Sequence, residues 1–417
     1  MKAKDQKLLS MAKNANLHAA SKAKNDEFYT QYADIQKEVN AYLDCNPDVF
    51  RGKTILLPCD DPEWSNFTKF FAQNFEFFGL KKLISTSFAV ESKKYKEGYM
   101  PTLFEIESPI YDQDKTRTHG KIFTLDHDTN ANGRIDINDL QWTYLQGDGD
   151  FRSKEIKLLR DEADIIITNP PFSLLREFIA WLIESKKQFL ILGNQNIAAC
   201  KEVFPLIQAN IMWLGTSTGH TLFAVPESAT IPDFYDKEDK QKLSSNGYKI
   251  DENGRLWRNL GNICWLTNID HGRRHQPLQL MTEADNIKYS KHPEVKGIGY
   301  VKYDNYDAIE VPFYDAIPSD YEEIMGVPIS FLDKYCPEQF EILGSTQRGC
   351  HALVPDTRKY DDYWECKPSG EKTGSSGGKT NENGNLLKND GVHNYFENIE
   401  GRQVQSTYSR IFIRKKL

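Results

Sequence analysis

No run in this 417-residue chain approaches the roughly eighteen consecutive apolar residues of a membrane-spanning helix, so none is expected. The N-terminus is lysine-rich but lacks the apolar segment of a secretory signal. Seven cysteines, at positions 45, 59, 200, 264, 336, 350 and 366, are odd in number, scattered, and never in a C-x-x-C pair. That pattern argues against a disulfide framework or a legible zinc site, and for reduced thiols in a cytoplasmic protein. A surplus of positive charge is also missing. The formal net charge is −8, which is awkward for a binder of phosphates. Its distribution softens the objection: residues 1–25 hold six lysines against one aspartate, and Arg410 to Lys416 is again basic. Residues 1–25 read as a basic N-terminal arm, with a merely solvated tail as the alternative. There is no internal repeat. Hydrophobic content of 39% is ample for a core, and the length allows two or three domains.

What is present is organised around Asp164-Ile-Ile-Ile-Thr-Asn-Pro-Pro-Phe172. Residues 164–168 have the pattern of a strand buried on both faces, led by an acid. The two prolines then remove ladder donors and fix φ, so the strand must stop. Leu174, Leu175, Phe178, Ile179 and Leu182 follow at helical spacing, with Ser173 as the expected N-cap. The stretch therefore predicts a strand-to-helix turn at the carboxyl end of a parallel strand, where ligands bind in open α/β sheets. An exocyclic amino group on a base is a poor nucleophile, because its lone pair is delocalised into the ring. The Asn169 side-chain oxygen and the Pro170 carbonyl are two acceptors for its two hydrogens, Pro171 braces the turn, and Phe172 offers a stacking face. The pattern thus points to amino-group methylation; the plain alternative is a Pro-Pro turn with a core phenylalanine.

Upstream, Asp26-Glu-Phe-Tyr-Thr30 leads into a helix with Ile35, Val39, Tyr42 and Leu43 at its apolar positions; the plain reading of the stretch is an N-terminal capping turn with Asn25 or Asp26 as cap. Lys53 to Leu57 reads as a strand, followed by Pro58-Cys-Asp-Asp and a helix bearing Trp64, Phe67, Phe70, Phe71 and Phe75. The unit opens like a Rossmann fold, but no G-x-G is present to cradle a pyrophosphate. Asp60 and Asp61 suit a cofactor carrying an amine and a sulfonium instead. Residues 83–88 read as a second strand and 95–145 as an insertion, with strands from Lys121 to Asp126 and from Arg134 onward. Inside it, Asp128, Asn130, Asn132, Gly133, Asp136 and Asp139 match a calcium-loop spacing, although the last acid is Asp rather than Glu. A hairpin closed by Asn132-Gly133 is the preferred reading. Gln146-Gly-Asp-Gly-Asp-Phe151 is either an adenine-contacting turn or an ordinary Gly-Asp turn. Strands alternating with helices from 53 to about 215 imply a mostly parallel sheet. A polar stretch at 283–300 marks the junction. Beyond it, the tyrosines of 300–307 suit either DNA contacts or a half-buried core, and the Gly/Ser/Asn/Lys-rich segment 369–391 reads as a mobile loop. Residues 407–413 read as a closing strand.

Taken together, Asp26 to Thr30, Cys59-Asp-Asp-Pro62 with Ser65-Asn66-Phe67, Gly147-Asp-Gly-Asp-Phe-Arg152 and Asn169-Pro-Pro-Phe172 stand in the order found in amino-methyltransferases with an N-terminal cofactor half. With Tyr303 to Ile309, Met325 to Phe331, Pro337 to Phe340 and Arg410 to Arg414, the chain resembles the EcoRI-type adenine-specific DNA modification methylases from about residue 20 to its end. The resemblance implies an α/β, Rossmann-like S-adenosylmethionine-dependent methyltransferase fold at 26–285 and a target-recognition region at 300–417. It implies methylation of the N6 amino group of an adenine flipped out of duplex DNA, within a restriction-modification system and at a short palindrome such as GAATTC. It also implies a monomer, and the direct transfer calls for no obligatory metal. Phe28, Tyr29 and Thr30 would close over the methionine end of S-adenosylmethionine; Pro58, Cys59, Asp60 and Asp61 would form the first cofactor turn. Asp150 and Phe151 would contact the cofactor adenine, and Asn169, Pro170, Pro171 and Phe172 would form the target pocket. Two features depart from the wider superfamily: Cys-Asp-Asp-Pro replaces the glycine-rich turn, and no acid closes the second strand. An RNA-base or protein-glutamine methyltransferase, and a catalytically silent DNA-binding or calcium-binding module, are the competing classes.

Overall fold

The computed structural model describes residues 30–60, 65–89, 103–219, 222–224, 248–259, 261–346, 354, 356–381 and 383–416. The chain divides into two compact units, one of residues 1–194 with 215–270, the other of 195–214 with 271–417. No helix among the described residues is long and apolar enough to cross a membrane.

The first unit is mixed α/β. Helix α1 (Tyr32–Cys45) buries Ile35, Val39 and Tyr42, as their spacing predicts. Glu38 lies on the same face, fully buried, and accepts hydrogen bonds from Thr216 N (2.7 Å), Ser217 N (2.8 Å), Thr216 Oγ1 (2.7 Å) and Tyr42 OH (3.0 Å). Burial pushes its pKa up, and the four donors hold the pKa back. Strands β1 (Thr54–Leu57) and β2 (Lys82–Thr86) are joined by a crossover that includes α2 (Asn66–Gln73), with Ser65 as N-cap. Then come β3 (Lys121–Leu125), β4 (Gln141–Tyr144), α3 (Lys154–Glu162), β5 (Ile165–Thr168), α4 (Leu175–Ser185), β6 (Gln188–Asn194) and β7 (Trp213–Gly219). β8 (Leu222–Ala224), β9 (Tyr248–Ile250) and β10 (Leu256–Asn259) make a small antiparallel sheet before β11 (Ile263–Thr267).

The main sheet runs β4-β3-β2-β1-β5-β6-β11-β7. Its middle four strands are parallel, flanked by antiparallel β3–β4 on one side and antiparallel β11 on the other. The parallel core is what buried runs such as Thr54–Leu57 and Ile165–Thr168 require, since both faces are covered. Asp164, the acid leading β5, pins it to β1: its carboxylate accepts Thr54 N at 2.8 Å and its own N–H donates to Thr54 O at 2.9 Å.

Two local expectations are corrected. Ser173 does not cap α4, because the braced turn continues as a 3-10 turn over Phe172–Leu174 and the helix begins at Leu175. The second strand of the insertion starts at Gln141, not near Arg134. β3 and β4 do pair as a hairpin, but its connection is a compact loop rather than a two-residue tip. Within that loop, Asp128 accepts from Gly133 N (2.7 Å), and Asp139 accepts from Thr129 N, Thr129 Oγ1 and Asp136 N.

The second unit holds two further sheets. β12 (Ile309–Glu310), β13 (Met325–Pro328) and β14 (Phe340–Ser345) belong to the first. β15 (Trp364–Cys366), β16 (Lys372–Ser376), β17 (Asn385–Leu386), β18 (Tyr395–Glu397) and β19 (Gln403–Ser406) form the second. The closing strand, β20 (Arg410–Lys415), lies inside the first sheet, between β13 and β14 and antiparallel to both. Tyr303 and Tyr306 are core residues, packed with Leu343, Leu386 and Phe412; the core reading of this tyrosine run holds for these two, which are fully rather than half buried. The segment 369–391 is not a loop throughout. It supplies edge strand β16 and buried Asn385 and Leu386, which are fixed by hydrogen bonds from Asn385 N to Asn305 Oδ1 (2.9 Å) and from Asp304 N to Asn385 O (2.7 Å).

Candidate active site

The carboxyl ends of β1, β2 and β5 are tied together through one buried residue, Asp60, by its carboxylate and its backbone oxygen. Asp60, 5% exposed, accepts Thr168 Oγ1 at 2.6 Å and Ser65 Oγ at 2.8 Å, while its backbone oxygen accepts Ser85 Oγ at 2.7 Å. Ser85 Oγ also meets Thr68 Oγ1 at 2.8 Å, and Thr86 Oγ1 donates to Pro58 O at 3.1 Å. The Pro58-Cys-Asp turn is thereby held by three elements without a glycine-rich loop. Burial pushes the Cys59 thiol well up, and the nearby charges of Asp60 and Asp150 add to the effect. A thiol so placed stays protonated and is no nucleophile.

The Gly-Asp-Gly-Asp segment reaches the same end of the sheet. Ala89 N donates to Asp148 O (2.8 Å) and Gly120 N to Gly147 O (2.9 Å). Gly149 has φ +83°, and a Cβ there would lie 2.2 Å from Ser87 O, so this close approach needs glycine. Asp150 is fixed by Arg152, which donates to it from N (2.8 Å), Nε (2.9 Å) and Nη2 (2.6 Å). Phe151 is placed differently: its ring is buried edge-on against Phe178 (5.0 Å) and Trp181 (5.7 Å).

At the end of β5, Asn169 follows Thr168 directly. Its side-chain oxygen is buried, Pro170 is buried, and Pro171 and Phe172 are half-buried, with Phe172 packed along the main core. Thr30 is buried, and its carbonyl accepts Asn66 Nδ2 at 2.7 Å. Its hydroxyl meets no hydrogen-bond partner among the described residues. Phe28, Tyr29 and Asp61 lie outside the described residues. The structure thus brings Pro58, Cys59, Asp60, Asp150 and Asn169 to one region and sets the Phe151 ring in an aromatic cluster.

Thr168, Ser65 and Gly149 lie inside the quoted motifs, but no role in holding the site together was read for them or for Ser85. Only Gly149 carried a signal, a glycine between two acids. The hydroxyls act through partners 5 to 108 residues away, which no local pattern displays.

Residues 16–416 match the family described as "Adenine-specific methyltransferase EcoRI". The chain belongs to that family. Among relatives of this EcoRI methylase family, the type II methyltransferase M.EcoRI of Escherichia coli is 40% identical over 338 residues, spanning 80% of this chain and 90% of the relative. The type II methyltransferase M.MpnI of Mycoplasma pneumoniae is 34% identical over 345 residues, 82% of this chain and 89% of its own. A third, M.MgeORF184P of Mycoplasma genitalium, is 33% identical over 328 residues, 79% and 85% respectively. No solved structure matches the chain. The EcoRI methylase family match and the parallel core with its Asn-Pro-Pro-Phe turn agree: this is a methyltransferase with an α/β core.

Proposed function

We propose that the chain transfers a methyl group from S-adenosylmethionine to the N6 amino group of an adenine flipped out of duplex DNA. The observation that carries the reading is the Asp60–Thr168 contact, which fixes the turn after β1 beside the end of the strand that Asn169 follows. In a parallel sheet those two turns border one crevice.

The residues present fit the cofactor. The buried Thr30 hydroxyl has a donor and an acceptor to offer, and Asp150 is an anchored anion that Arg152 leaves partly exposed. Thr30, the Pro58–Asp60 turn and Asp150 would hold it, with Phe151 bracing Asp150 from the core side. Bound there, S-adenosylmethionine supplies an electrophilic methyl group. The protein's part is to sharpen the nucleophile. The Asn169 side-chain oxygen and the Pro170 carbonyl accept the two N–H bonds of the adenine amine, favouring a pyramidal nitrogen with its lone pair free. Such fixed acceptors act where charge changes in the transition state. Phe172 stacks on the extruded base, contributing about 1–3 kcal/mol against a flipping cost of a few kcal/mol. No protein nucleophile is needed, consistent with a Cys59 thiol held protonated. The second unit would contribute target recognition.

The test is transfer of tritium from labelled S-adenosylmethionine to duplex DNA, RNA and cell protein in parallel, followed by identification of the modified base. Label in DNA as N6-methyladenine is expected. Label confined to RNA or protein would overturn the choice of substrate, and no label anywhere would favour a silent binding module.

A further inference from the structure

A separate polar assembly lies in the second unit, at the hairpin joining β18 to β19. Asn398 closes the turn: its Oδ1 accepts Glu400 N (3.1 Å) and Arg402 N (2.9 Å), and its own N–H donates to Arg402 O (3.2 Å). Gly401, at φ +78°, completes it. The turn lifts Ile399 into solvent, 86% exposed. At its base, Arg402 Nη2 donates to Asp304, whose side chain is 5% exposed. The same carboxylate holds Arg358 Nε at 3.3 Å and accepts Tyr360 OH at 3.0 Å. Asp304 is itself fixed through its backbone, by Asn385 O (2.7 Å) and Thr357 Oγ1 (3.0 Å).

Both guanidiniums remain partly open to solvent. Among the described residues, Arg402 Nε and the Tyr363 hydroxyl are both buried without a hydrogen-bond partner, so it is the Nη end of Arg402 that a ligand can reach. Arg402 and Arg358 share the one Asp304 carboxylate, so each guanidinium is partly compensated, whereas gathering phosphates rewards uncompensated cations. What the shared acid does provide is direction. A guanidinium held along one side presents its remaining donors at a set angle, as recognition of the two acceptors on a guanine edge requires. An exposed aliphatic side chain on the same turn suits a thymine methyl; β15 and β17 flank the two strands, so it is the tip at 398–402 that projects from the sheet toward a groove.

We propose that the tip of the β18–β19 hairpin, residues 398–402, enters the major groove of the DNA substrate, with Arg402 reading a guanine edge and Asp304 aiming it. The inference rests on the DNA reading above. It is tested by methylating a duplex library, randomised around a central adenine, with full-length wild type and with Arg402→Lys, Asp304→Asn and Ile399→Ala, then sequencing the modified products. Wild type should yield a consensus containing guanine. Arg402→Lys should relax that one position by about 10- to 100-fold, the discrimination of a bidentate contact. Asp304→Asn should relax the same position with the salt dependence of DNA binding unchanged, and Ile399→Ala, a surface change that leaves folding intact, should relax a neighbouring thymine. Uniform weakening by Arg402→Lys with a shallower salt slope would make Arg402 a phosphate contact and overturn the proposal, as would an unaltered consensus in all three variants. Wild type that labels no DNA sinks the functional reading itself, whereas a wild-type consensus untouched by the variants sinks the hairpin alone.

Discussion

Thr168→Val removes one hydroxyl from the centre of the site and little else. Valine keeps the branched shape of threonine, which suits a buried strand. What disappears is the 2.6 Å hydrogen bond to Asp60. A hydrogen bond to a charged group contributes about 1.5–3 kcal/mol, and a carboxylate this buried belongs in the upper part, about 2–3 kcal/mol. At about 2–4 °C per kcal/mol in a unit of this size, the melting temperature should fall by roughly 4–12 °C. Turnover should fall as well, because the lost contact joins the first turn to the strand bearing Asn169. Circular-dichroism melts and steady-state kinetics against S-adenosylmethionine give the two readouts. Asp60→Asn separates the clamp from the alternative in which Asp60 serves the cofactor amine. A clamp predicts that this variant also melts early. An amine contact predicts a raised KM with melting unchanged. Unaltered melting in both variants would refute the clamp and, with it, the argument that it aligns the two turns.

Asn169→Ala should leave duplex binding in gel-shift assays intact while cutting tritium transfer by roughly 10²–10³ or more, the loss typical of a transition-state hydrogen-bond partner; normal transfer would remove its role. Gly149→Ala should cost at least about 1–2 kcal/mol from φ alone, beyond the collision with Ser87 O, and should be visible as an early melt. The Asp139 carboxyl is held below its ordinary value, first by the Asp136 backbone N–H and then by Thr129. A depressed folded-state pKa stabilises above the unfolded value of roughly 4 and is lost as pH falls through it, so melts from pH 7 down to 3 should show an acid-side decline that Asp139→Asn flattens. EDTA should change neither transfer nor melting; a loss restored by calcium would instead assign the 128–139 loop a structural ion.

The sequence by itself determined the elements whose information is local. The short runs at 53–57 and 164–168 read as strands, the second with the pattern of burial on both faces, two prolines had to end it, and the spacing of Ile35, Val39 and Tyr42 indicated a helix. The Asn-Pro-Pro-Phe turn was legible for the same reason, and the family likeness because each of its motifs is a contiguous stretch in a fixed order. The tertiary structure decided which polar groups meet. It gave Asp60 to Thr168 and Ser65, and it turned the Phe151 ring into an aromatic cluster. It also decided which of two chemically open readings a segment takes. Tyr303 and Tyr306 went into a core, and Asn385 found its partner 80 residues away. Period and propensity report how a residue relates to its chain neighbours. A buried hydroxyl or carboxylate is satisfied by whatever the fold brings within 3 Å, and only the folded chain holds that information.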